Sequence, residues 1–72
     1  MTLQNWLNEQ ITKRELTNDD FKQSKSVIAA YRNSRVFPKY EVYASICEVL
    51  ELLPCRKQYD MFGENFKRNG KR

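Results

Sequence analysis

KQSKSVIAAYRNSRVFPKY, residues 22–40, decides how the chain is read. It carries Lys22, Lys25, Arg32, Arg35 and Lys39 and no acidic residue. Its apolar residues Val27, Ile28 and Tyr31 fit one side of a helix, and Ser24 or Ser26 can cap that helix. Pro38 disfavours helical geometry at Phe37, so the helix ends before it. Upstream, Thr17-Asn18-Asp19-Asp20 has the form of a capping box with Asp as its acid, and Phe21 is the first apolar residue inside. Two arrangements follow. Either one helix starts at Thr17 and a further helix at the serines, or a single helix runs unbroken over residues 18–33.

Outward from that stretch the pattern stays helical. The spacing of Leu3, Trp6, Leu7, Gln10 and Ile11 predicts a helix from Thr2 to Glu15, with Thr2 as its cap. Tyr43, Ile46, Val49, Leu50 and Leu53 predict another from Lys39 to Leu53, stopped by Pro54. Pro54 then suits the first turn of a last helix carrying Tyr59, Phe62 and Phe66. Gly63 weakens it by about 1 kcal/mol relative to Ala. The expected fold is all-α, a compact four- to five-helix domain over residues 1–66 with a helix-turn-helix. A basic flexible tail follows over residues 67–72. Tyr40-Glu41-Val42-Tyr43 also reads as a strand, which makes a winged helix the alternative. The expected core is Trp6, Ile11, Phe21, Ile28, Tyr31, Ile46, Leu50 and Leu53. Val36-Phe37 either packs under the proline turn or forms a dimer contact.

Composition narrows the function. Seventy-two residues make one small domain, and one Trp, four Phe and four Tyr argue against disorder. No apolar run approaches 18 residues, and the N-terminus lacks the pattern of a secretory signal. Cys47 and Cys55 read as reduced thiols of a cytoplasmic protein. The chain has no histidine and only Gly63 and Gly70 as glycines. A tetrahedral metal site, a phosphate-cradling glycine loop and a catalytic constellation all lack their residues. The expectation is a non-enzyme without cofactor or metal.

Charge points to a partner. Residues 1–21 and 41–66 are net acidic, whereas residues 22–40 and the terminal Lys67, Arg68, Lys71 and Arg72 are basic. Segregated positive charge suggests a polyanion.

Leu16-Thr17-Asn18-Asp19-Asp20-Phe21 is similar to the entry into the second helix of the phage lambda repressor and Cro helix-turn-helix family. Lys25-Ser26-Val27-Ile28-Ala29-Ala30-Tyr31-Arg32 resembles the recognition helix of that family. Val36-Phe37-Pro38-Lys39-Tyr40, then Ile46 through Leu53, resembles the Pro-initiated helix that follows. Between Phe21 and Ile28 the chain is about four residues shorter than the family pattern, roughly one helical turn. A second resemblance is to lambda-type excisionases, carried by Thr2-Leu3-Gln4 with Trp6, by Arg32-Asn33-Ser34-Arg35-Val36-Phe37-Pro38 and by Lys67-Arg68-Asn69-Gly70-Lys71. Both families are small phage DNA-binding proteins, so both imply double-stranded DNA as partner and a transcriptional regulator or recombination directionality factor as function.

A helix fits the major groove and presents its N-terminal side chains to base edges. Lys25, Ser26, Ala29 and Ala30 are then the expected base contacts, with Arg32 and Asn33 one turn on. Gln23 is placed to read adenine, and Arg32 or Arg35 guanine. Lys22, Lys39, Lys67 and Arg68 are expected on phosphates, which give affinity and salt dependence without sequence choice. One copy reads few base pairs, so a homodimer or cooperative oligomer is expected, with no membrane. The alternative is a helical inhibitor or adaptor bound to a host protein. Its anchors are Phe37, Tyr40 and Tyr43, and its acidic face is Glu41, Glu48, Glu51, Asp60 and Glu64.

Overall fold

The computed structural model describes residues 2–70, with side chains as far as Lys67. The chain is all-helical: α1 (Leu3–Arg14), a 3-10 turn over Asn18–Asp20, α2 (Lys25–Arg32), α3 (Tyr40–Val49) and α4 (Arg56–Gly70). Among the described residues there is no strand. The winged-helix alternative therefore does not hold, and Tyr40–Tyr43 is the first turn of α3.

α1 starts where Thr2 accepts a hydrogen bond from the Asn5 backbone N–H at 3.2 Å. Its apolar stripe, Leu3, Trp6, Leu7 and Ile11, is buried along its whole length. The capping box at Thr17 forms as its sequence suggests: Asp20 accepts from the Thr17 backbone N–H at 2.7 Å, and Thr17 Oγ1 from the Asp19 N–H. The box initiates one 3-10 turn and no α-helix, because Phe21 leaves it in extended geometry and buries its ring. Neither expected arrangement of residues 17–33 occurs as stated. The second helix of a helix-turn-helix is a single turn here, and no continuous helix joins it to α2.

α1, α2 and α3 all stop in the same way. Glu15, Ser34 and Glu51 take left-handed φ of 54°, 58° and 60°. The next amide in each case reaches back five residues: Leu16 to the Ile11 carbonyl, Arg35 to Ala30 and Leu52 to Cys47, at 3.0, 2.9 and 2.8 Å. These are Schellman ends, which satisfy carbonyls the helix leaves open. Leu16 and Leu52 then pack against the core, the kind of apolar contact that accompanies the motif. α3 therefore ends at Val49, not at Leu53. Leu53 is 93% exposed and is removed from the expected core. The last helix likewise starts at Arg56, two residues after Pro54, and it continues through residues 67–70, so the expected tail begins as helix.

The core joins a cluster of tilted and edge-on aromatic rings to buried aliphatic side chains. Leu7, Ile28, Ile46 and Leu50 are fully buried. Trp6 meets Tyr43 and Phe62, with ring centroids 5.9 and 5.5 Å away. Tyr43 also meets Tyr40 and Tyr59 at 5.8 and 5.3 Å. Phe37 packs on Tyr59 and Phe66 at 5.3 and 5.4 Å, while Val36 stays half-exposed. The Tyr59 hydroxyl donates to the Pro38 carbonyl at 2.9 Å, which fixes the proline turn on α4. Phe37 thus takes the reading in which it packs under that turn.

The Tyr43 hydroxyl accepts from the Cys55 backbone N–H at 3.2 Å and lies 3.0 Å from Gln58 Oε1, to which it donates. Burial, the largest influence, pushes its pKa up to about 12, against the pull of the Cys55 N–H in the other direction. A raised phenol pKa contributes stability that is complete below the unfolded value of 10.0 and is lost as pH rises towards 12. Thermal melts of the wild type are expected to fall steeply across that window. Tyr43→Phe flattens this alkaline slope while lowering neutral-pH stability by about 1–2 kcal/mol through the lost hydrogen bonds. At Gly63 an added Cβ meets Phe37 Cε2 at 3.6 Å, an ordinary contact. Gly63→Ala is therefore expected to raise stability by up to about 1 kcal/mol in chemical denaturation.

Candidate nucleic-acid interface

The Ser24 hydroxyl, not that of Ser26, caps α2, accepting from the Val27 N–H at 3.4 Å. Ile28 and Tyr31 hold the inner side of the helix in the core, and burial raises the pKa of the Tyr31 phenol. With those positions inward, the 3.6-residue period turns Ser26, Ala29, Ala30 and Asn33 outward. Ser26 and Asn33 are exposed, and the two alanines are half-buried. This face is small and uncharged. Lys25 flanks it at the start, and Arg35 follows at its end, both exposed. Lys39 is exposed just before α3. No side-chain bond to an acid engages any of these three cations among the described residues.

Three expected contact residues are engaged elsewhere. Lys22 pairs with Glu48 of α3 at 2.5 Å, which neutralises both on an open surface. Gln23 turns towards α3, where its Nε2 donates to Ser45 Oγ at 3.4 Å. Its Oε1 is buried without a partner among the described residues, so its amide does not face outward with α2. Arg32 crosses to α1 and the 3-10 turn. Its Nε donates to Asn8 Oδ1 at 2.5 Å and its Nη1 to Asn18 Oδ1 at 2.7 Å. Asn8 Nδ2 donates in return to the Arg32 carbonyl at 3.4 Å, satisfying one of the open carbonyls at the end of α2.

Lys67 lies apart from the α2 face. It rims a groove on α4 floored by Phe37, Tyr59, Gly63 and Phe66 and flanked by Asp60 and Glu64. The side chain of Arg68, with Lys71 and Arg72, falls outside the described residues. Arg56 stacks over Tyr40 at 4.9 Å and pairs with Asp60. Tyr43, expected as a partner anchor in the protein-binding alternative, is fully buried and cannot serve as one.

Three carboxamides that the sequence did not assign to the site border the outward face of α2. Gln4, Asn8 and Asn18 line a polar groove with Ala29, Arg32 and Asn33. The i, i+4 spacing of Gln4 and Asn8 beside the apolar stripe of α1 was a visible signal of a shared edge. Asn18 carried none, since its place depends on where the 3-10 turn packs.

No protein-family model, no curated protein and no solved structure matches the chain. No helix among the described residues is long and apolar enough to cross a membrane.

The hydrogen bond from Lys22 holds the Glu48 carboxyl below its ordinary value of 4.5. A depressed carboxyl contributes stability that is present above that ordinary value and lost as pH falls through the folded one. Carboxyl-detected NMR titration is expected to show Glu48 titrating below 4.5 in the wild type and returning to about 4.5 in Lys22→Ala.

Proposed function

We propose that the chain is a small double-stranded DNA-binding regulator of phage or plasmid type, with the outward face of α2 in the major groove. One observation carries this reading. The outward face is small and acid-free, and exposed, unpaired Lys25 and Arg35 stand at its two ends. Alanine methyls allow the backbone close to base edges and suit contact with thymine, and Ser26 and Asn33 supply hydrogen bonds. Lys25, Arg35 and Lys39 supply phosphate contacts. An eight-residue helix is about 12 Å long and spans few base pairs. The proposal therefore includes a homodimer or several cooperating copies, acting in the cytoplasm as a transcriptional regulator or excisionase-like factor.

The α4 groove supports a second reading, a helical inhibitor or adaptor for a host protein. Its apolar floor, with Asp60, Glu64 and Lys67 on its rim, suits an apolar peptide segment with charged flanks.

Binding of random duplex DNA across a salt series tests the first reading. Affinity is expected to fall linearly with log salt, and Lys25→Ala and Arg35→Ala each make the slope shallower by about one. Glu48→Gln releases Lys22 and is expected to make it steeper. No binding at about 50 mM salt, where a few phosphate contacts suffice for detection, overturns the DNA reading.

A further inference from the structure

Arg32 stands in the wall of the polar groove between α1, the 3-10 turn and α2, and the other five lining residues include no charge. Its two side-chain acceptors are the neutral amide oxygens of Asn8 and Asn18. Asp20, two residues from the Asn18 acceptor, is closed onto the Thr17 N–H at 2.7 Å and makes no bond to Arg32. The guanidinium is therefore held rigidly while keeping its full positive charge. Of its five donors, one on Nε and one on Nη1 are used; both on Nη2 and the second on Nη1 have no acceptor among the described residues.

A guanidinium whose only task is to tie helices together gains most from a carboxylate partner, because charge-assisted bonds are about twice as strong as neutral ones. Two amide oxygens orient the fork without cancelling it. Around it, the Asn33 carboxamide has no partner among the described residues, and Gln4 accepts from Ser34 Oγ at 2.8 Å, leaving its own N–H donors open. Ala29 keeps the floor low. The groove holds about 360 Å³, at the lower end of the range of small-ligand sites. Planar paired donors, further amide donors and the absence of acid are the chemistry that recognises a phosphate oxyanion.

We propose that this groove is a phosphate receptor, with Arg32 as its paired donor, Asn33 and Gln4 as supplementary donors, and Asn8 and Asn18 as positioning residues. In the DNA-bound protein the phosphate is a backbone phosphodiester beside the α2 face, and that part rests on the DNA reading. Arg32 then sets register on the backbone and does not read guanine. The other source of the same chemistry is free phosphate.

The test is NMR of arginine Nε–Hε groups in the intact wild-type protein. Inorganic phosphate, a chloride control of equal ionic strength and a short random duplex are titrated separately. The Arg32 resonance is expected to move saturably with phosphate and with duplex but not with chloride. Asn33→Asp, an exposed change that places a carboxylate in the groove, is expected to weaken both by about tenfold, the worth of one charge-assisted hydrogen bond. An Arg32 resonance that stays still with both, or moves equally with chloride, overturns the receptor. Movement of Arg35 with duplex while Arg32 stays still overturns it too, and leaves the DNA reading standing. Saturable movement with phosphate but no response of any residue to duplex keeps the receptor for free phosphate and ends the DNA reading.

Discussion

Tyr43 ties α1, α3 and α4 together at one point. Its ring is fully buried against Trp6 of α1, Tyr59 and Phe62 of α4 and its own neighbour Tyr40. Its hydroxyl takes the Cys55 amide and Gln58, and so determines where α4 begins. A buried phenol without partners would forfeit about 1–3 kcal/mol of what its ring gains, so the ring and the α4 start are one arrangement. α4 in turn carries the Tyr59 hydroxyl that holds the Pro38 carbonyl, and Phe37 is trapped between Tyr59 and Phe66. The proline turn, and with it the direction in which the chain leaves α2, depends on that chain of contacts.

The three helix ends show a second constraint. Non-glycine residues in left-handed geometry carry an energetic cost of roughly 1–2 kcal/mol each. Glu15, Ser34 and Glu51 accept it because each closes a Schellman end, and at Glu15 and Glu51 a leucine is returned to the core. The result is short helices around a small centre, with α2 only eight residues long. Short helices expose more ends per residue, and the α2 end is where the Asn8 and Arg32 network gathers.

The charge pattern changes its meaning in three dimensions. Five cations in residues 22–40 look equivalent in sequence. In the fold Lys22 is neutralised by Glu48, Arg32 is held sideways by two asparagines, and Lys25, Arg35 and Lys39 stay open. Partners far away in the chain made the difference: Glu48 lies 26 residues from Lys22, and Asn8 24 from Arg32.

What the sequence determined by itself was local. The helical class, the cap at Thr2, a serine cap at Ser24 or Ser26, the capping box at Thr17, and the inward positions of Trp6, Ile28, Tyr31 and Ile46 all follow from periodicity and short-range hydrogen bonding. Legible too was that α2 carries an acid-free outer face. The tertiary structure decided whatever depended on contacts between distant segments. Phe21 is drawn into the core, which leaves the capping box as one turn; Leu52 is drawn in and Leu53 thrown out, which ends α3 early. Neither stop has a glycine or asparagine to announce it, because the signal is the apolar contact made after the turn. The same holds for the candidate site. Gln4, Asn8 and Asn18 are ordinary polar residues in sequence, and they border α2 only because α1 and the 3-10 turn pack against it.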